Sequence, residues 1–179
     1  MNQLNRRTFL SVSSSLFALP VLAQLSGCSE EQQPRSSSKS FVEPKFELLD
    51  IALQHEFGAV VQYGNHAGLA AASGKDTSGS IGRIIMEIIA QEVHHAIYLT
   101  EILKKNGFEP TVAVWPPQTA ATPEKMMEKD IAAEKGAITL YQQILEQDFD
   151  DQTKKNMEEF LQAEMVHQQM FARILSELV

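Results

Sequence analysis

From Lys45 onward apolar residues recur every three or four positions, the spacing that gathers side chains on one face of an α-helix, and no stretch alternates with a strand's period of two. The first helical stretch spans about Lys45–Ala72, with Leu49, Leu53, Val60, Tyr63, Ala67 and Ala70 on its stripe. The turn cluster Ser73-Gly74-Lys75-Asp76-Thr77-Ser78-Gly79 stops it. The second carries Ile81, Ile85, Ile88, Leu99 and Ile102 and runs to about Asn106, where Lys104, Lys105 and Gly107 suit a helix C-terminus. Thr122-Pro123-Glu124 opens the third with a cap, a first-turn proline and an acid, followed by Met127, Ile131, Ile138, Tyr141 and Leu145. Asp150 or Asp151 caps the fourth, whose stripe is Met157, Phe160, Phe171, Ile174 and Leu178.

Loop lengths set the topology. The first and third connections are short, so helices 1 and 2, and helices 3 and 4, pair antiparallel. Residues 107–122 contain Pro110, Pro116 and Pro117, which forbid a continuing helix. Extended, that segment reaches roughly 50 Å, whereas a helix of this length is ~40 Å long. The linker can return along the whole bundle and leave helices 2 and 3 parallel. The expected fold class is all-α, a four-helix bundle with a long crossover between helices 2 and 3.

Polar residues interrupt every stripe near its middle: Glu56 in helix 1, Glu92 and His95 in helix 2, Glu134 in helix 3, Glu164 and His167 in helix 4. Four carboxylates in a dry core repel one another and lose hydration, so they demand cations or protons. One Glu-x-x-His is weak evidence, arising by accident in roughly every second chain of this composition. Two of them on core stripes, with single glutamates at matching depth on the other two helices, point to a metal site. The i, i+3 spacing sets Glu and His on one face about one turn apart.

At these residues the chain resembles the ferritin-like di-iron carboxylate proteins, over the whole of 45–179, and within them bacterioferritin. Asp130-Ile131-Ala132-Ala133-Glu134 is similar to that family's Asp and Glu four apart, and Tyr63, seven residues after Glu56, to a tyrosine near its metal site. The resemblance implies that Glu56 and His95 bind one iron, Glu134 and His167 the other, and Glu92 and Glu164 bridge them. It implies a catalytic part for Tyr63, and Asp130 is expected to orient a ligand histidine from behind. Bacterioferritin's haem-ligating methionine corresponds to Val93, so two iron ions (or manganese) and no haem are expected. Rubrerythrins are similar too, but add a four-cysteine iron domain and a further helix 3 glutamate that this sequence does not show. A homodimer stays open. A hollow shell is not expected, because the chain ends at Val179 without the short fifth helix usual in cage-forming relatives. His55 and His94 are expected on helix flanks, His66 between flank and site, the methionines as core filler, Tyr141 in the core or lining the site, and Trp115 as an anchor of the crossover.

Upstream of the bundle the helical pattern breaks. Asn5-Arg6-Arg7-Thr8-Phe9-Leu10 resembles a twin-arginine export signal. The apolar Phe9–Leu25 leads into Leu25-Ser26-Gly27-Cys28, similar to the lipobox of bacterial lipoproteins, whose cysteine is acylated after cleavage. The expected organisation is a twin-arginine/lipoprotein signal peptide over 1–27, a lipidated flexible tether over 28–44 and the bundle over 45–179. A lone cysteine is more often a small buried hydrophobe, and a transmembrane anchor is the rival reading, though an apolar stretch with several serines and a proline is marginal for spanning. The polar tether spans on the order of 20 Å as a coil. The chain is expected at the cell envelope, anchored to the membrane through lipid at Cys28, on the periplasmic or extracytoplasmic side.

Composition narrows the partners. The single cysteine removes intramolecular disulfides, Cys-rich zinc sites and thiolate clusters. No Gly-rich phosphate loop appears among the 9 glycines. A formal charge of −8, more acidic still once Arg6 and Arg7 are cleaved away, argues against nucleic acid. The function expected is oxidation of Fe(II) with hydrogen peroxide or oxygen. The alternatives are a non-catalytic module that buffers or delivers metal, and a dimanganese catalase-like enzyme.

Overall fold

The computed structural model describes residues 43–113 and 116–179; the predicted signal, Cys28, nearly all of the tether and Trp115 lie outside the described residues. Four helices follow in order, α1 (Pro44–Ala72), α2 (Ser80–Lys105), α3 (Pro123–Leu145) and α4 (Asp151–Leu178), and no strand occurs among the described residues. The fold is an all-α four-helix bundle.

Local chemistry sets the helix ends. Pro44 opens α1, and Gly74 leaves it with φ 74° in the left-handed region that glycine adopts without strain. The α2 N-terminus is capped from outside by Asp76, whose carboxylate accepts from Ile81 N at 3.1 Å and Gly82 N at 2.9 Å. Gly107, at φ 76°, follows α2. Thr122 Oγ1 accepts from Lys125 N at the start of α3, and Asp150 from Thr153 N at the start of α4.

The apolar core is split in two. Leu49, Leu53, Leu99, Leu103, Tyr141 and Met157 pack at one end of the bundle. Tyr63, Ile85, Ile88, Met127, Phe171 and Ile174 pack at the other. Between them lie Glu56, Glu92, His95, Glu134, Glu164 and His167, all buried.

The third helix departs from its expected stripe. Ile131, Ile138 and Leu145 are half-buried, whereas Asp130, Ala137 and Ile144, one residue earlier, are buried. One residue is ~100° of helix rotation, and small Ala137 with polar Asp130 faces inward, α3 lying closer to α1 than α2 does to α4. Val60, Ala67 and Leu178 are half-buried for the same reason: they sit on the shoulders of their stripes.

The crossover is fastened along α1. Asp50 Oδ1 accepts from Thr111 N at 2.7 Å, and three turns further along the helix Gln62 Oε1 accepts from Gln118 N at 3.1 Å. This path carries the chain back along the bundle before α3 begins.

Candidate metal centre

The helical i, i+3 spacing lays His95 one turn beyond Glu92 on α2, and His167 one turn beyond Glu164 on α4. The six polar residues form two overlapping groups, Glu56, Glu92, His95 and Glu164, and Glu92, Glu134, Glu164 and His167, each with ligand atoms within 4.8 Å of one another. Glu92 and Glu164 belong to both. His95 Nδ1 lies 3.3 Å from Glu92 Oε2 and 3.0 Å from Glu164 Oε1. His167 Nδ1 lies 3.0 Å from Glu92 Oε1 and 3.4 Å from Glu164 Oε2. Each of these carboxylates therefore turns one oxygen to each histidine, as a bridging ligand must. Glu56 Oε2 stands 3.7 Å from His95 Nδ1 and Glu134 Oε2 4.0 Å from His167 Nδ1, one terminal carboxylate per group.

These atoms are close but not hydrogen-bonded. Both oxygens of Glu92 and of Glu134, Glu56 Oε2, Glu164 Oε1 and the Nδ1 atoms of both histidines have no hydrogen-bond partner. Buried polar atoms normally find one. Polar atoms that converge on two common centres without pairing to one another fit a pair of cations, and the hard O/N donor set fits two iron ions.

Protonation shows the same demand for positive charge. Burial, then the charges of Glu92 and Glu164, push the Glu56 carboxyl well above its ordinary range; burial and Glu92 do the same to Glu134. Burial also works against ionising Glu92 and Glu164, but the neighbouring histidines outweigh it and hold both below the usual value. Against the cost of burial, Glu164, Glu56 and Glu92 hold His95 up to about 11, and Glu164 and Glu92 hold His167 up to about 9.

Two tyrosines complete the shell. Tyr141 donates its hydroxyl to Glu56 Oε1 at 2.5 Å. Tyr63 is fully buried against Phe171, and its hydroxyl, outside hydrogen-bond geometry, is kept protonated by burial and the nearby Glu134 charge. The arrangement has a twofold logic: glutamate and tyrosine stand seven residues apart on α1 (Glu56, Tyr63) and on α3 (Glu134, Tyr141); Tyr141 bonds the opposite helix's Glu56, and Tyr63 lies near Glu134. That repeated spacing is a signal in the sequence that would have assigned Tyr141 to the site.

Asp130 does not orient a ligand histidine. Its carboxylate lies 2.8 and 2.9 Å from His66 Nδ1 and accepts from Gln62 Nε2 at 2.8 Å. The reason is geometric: Asp130 stands one helical turn before Glu134, facing the far half of α1 rather than the histidine layer. His66 is fully buried and belongs to this second polar cluster. His55 and His94 flank the candidate ligand layer, His55 Nε2 donating to Ala133 O at 3.2 Å and His94 stacking edge-on with Phe160.

The rubrerythrin family model matches residues 47–175, which is the bundle from end to end. The chain belongs to the rubrerythrin family. Bacterioferritin of Desulfovibrio desulfuricans, solved with its diiron site in different catalytic states, is a structural relative of this rubrerythrin-family bundle. It has 25% identity and a TM-score of 0.67, covering 74% of this chain and 78% of that one. No curated protein matches the chain. The expected likeness to bacterioferritin is present in the fold, while the family match is to rubrerythrin, and it rests on the bundle alone. Together the family, the fold and the two ligand groups make this a ferritin-like di-iron protein.

Proposed function

We propose that this protein is a di-iron oxidase of the cell envelope that couples Fe(II) oxidation to the reduction of hydrogen peroxide or oxygen. The observation that carries the reading is the split of Glu92 and Glu164, each giving one oxygen to the His95 side and one to the His167 side. Glu56 with His95 and Glu134 with His167 are the terminal ligands. A pair of iron ions held this way supplies two electrons together, matching a two-electron acceptor. Peroxide needs two protons as well as two electrons to become water. The Tyr63 and Tyr141 hydroxyls, both kept protonated by burial, stand beside the terminal carboxylates as donors that hold and orient those protons. Val93, exposed on the outer face of α2, offers no ligand to haem, and none is included in the proposal.

The test is anaerobic loading with Fe(II), followed by stopped-flow mixing with peroxide or with oxygenated buffer. The expected result is rapid oxidation, one peroxide consumed for each pair of Fe(II), slowed by Tyr63→Phe with metal content unchanged. Two bound ions that neither oxidant oxidises would instead favour the buffering role. Preferential Mn(II) binding with peroxide dismutation would favour the catalase-like one.

The envelope location rests on the Arg6-Arg7 signal and the segment ending at Cys28. Among the described residues no helix is long and apolar enough to cross a membrane. Cys28→Ser is expected to move the protein from the membrane fraction to the soluble fraction. Mass spectrometry of the mature protein should find Cys28 acylated at its N-terminus; an intact segment 1–28 would overturn the anchor.

A further inference from the structure

Outside the ligand layer, α1 and α3 leave a cavity of about 160 Å³ between them, because small residues (Gly58, Ala59, Ala133 and Gly136) line both sides. The crossover closes it with Pro116 and Gln118. Gln118 is the fastened residue. Its amide donates to Gln62 Oε1 at 3.1 Å, its carbonyl lies 2.7 Å from His66 Nε2, and its side-chain oxygen lies 3.5 Å from Lys129 Nζ. Gln62 and His66 both lean on Asp130, through Gln62 Nε2 at 2.8 Å and His66 Nδ1 at 2.8 Å. Asp130 and His66 are fully buried, so the bonds to Gln118 depend on one desolvated pair.

The atoms count the protons. A backbone carbonyl only accepts, so His66 Nε2 must carry a hydrogen. A second hydrogen must lie between Nδ1 and the Asp130 carboxylate. The pair therefore holds two protons. With one removed, either Nε2 turns a lone pair on the Gln118 carbonyl or Nδ1 turns one on the carboxylate. The charge-assisted bond to Asp130 is the stronger, so the bond to Gln118 is the one lost.

We propose that His66 and Asp130 form a proton-operated clasp that fastens Gln118 over the α1–α3 cavity while the pair holds two protons, and releases it when one leaves. Burial lowers the affinity of His66 for its proton, but the Asp130 hydrogen bond and charge outweigh this, and the net shift is upward. His66 faces Asp130 and Lys129 from α3 and the Gln118 carbonyl from the crossover; Asp130 faces Gln62 and Tyr63 from α1. Because the folded value is raised, the clasp is fully closed below the ordinary histidine range and opens as pH climbs through the folded value. The cavity wall includes His55 and Ala133, the chain neighbours of Glu56 and Glu134, so release would uncover the cavity on that side of the bundle. The clasp itself does not rest on the di-iron reading.

The test uses the full metal-loaded protein. Hydrogen exchange at the Gln118 amide, corrected for the intrinsic effect of pH, is compared with Leu99 in α2 while NMR follows the His66 ring. In the wild type, Gln118 protection is expected to fall about tenfold as His66 titrates, the change for loss of one hydrogen bond, with Leu99 unaffected. His66→Gln, which cannot titrate, should show a flat profile. A wild-type Gln118 profile that stays level through the His66 titration overturns the clasp, as does a pH step that survives in His66→Gln. If His66→Gln does not fold, coincidence or mismatch of the two wild-type midpoints decides it.

Discussion

Glu92→Ala is expected to abolish paired metal binding. Wild-type protein should retain two ions per chain after gel filtration, measured by elemental analysis. Glu92 supplies Oε2 to the His95 side and Oε1 to the His167 side, so its loss removes one ligand from each group at once. Affinity for the second ion should fall by about 100-fold or more, since even losing a partner behind a ligand costs 10–100-fold. The helices should survive, because the two apolar clusters on either side of the ligand layer remain intact. Glu87→Ala, exposed on the same helix, should keep both ions. Two ions retained with undiminished affinity in Glu92→Ala would overturn the bridged site.

The second large effect is proton release on loading. In the metal-free pocket Glu56 and Glu134 are pushed toward the acid form, and His95 and His167 are imidazolium at neutral pH. Glu92 and Glu164 carry the charge that balances the two imidazolium groups. Protons thus do in the metal-free core what cations do in the loaded one. Metal ligands must be deprotonated, so binding two ions near neutral pH should expel about four protons per chain, one from each of those four residues. Affinity should rise steeply with pH, and the steepness should lessen above about 9, where His167 has already lost its proton. Calorimetry in buffers of differing ionisation enthalpy measures the release; a value near zero would contradict this charge balance. The metal-free fold responds in the opposite sense. The raised histidine values give it stability that is full below about 6.5 and lost as pH climbs through about 9 to about 11.

Much of this was legible in residue spacing. Helix ends at Thr122, Asp150 and Gly107 follow from capping chemistry that depends on a few neighbouring residues. The six candidate ligands stand out because a polar residue in an apolar stripe is a local anomaly, visible without knowing what lies opposite. Tyr141 was harder. On its own helix a core tyrosine and a site tyrosine look alike; the cue is the Glu56–Tyr63 spacing repeated at Glu134–Tyr141, visible only when two helices are compared, and its bond to Glu56 agrees with it. The Asp76 cap of α2 was also hidden, since it reaches from outside the helix, five and six residues back.

The sequence by itself determined the four helices, the return of the crossover and the six polar residues set into the core stripes, because periodicity, capping and loop reach are short-range properties of the chain. Only the tertiary structure decided which oxygen of Glu92 and Glu164 serves which histidine, how α3 is rotated against α1, and that Asp130 turns to His66. Those outcomes depend on packing between helices far apart in the chain, where one residue's rotation exchanges a shoulder position for a buried one. Helical spacing alone leaves that rotation free.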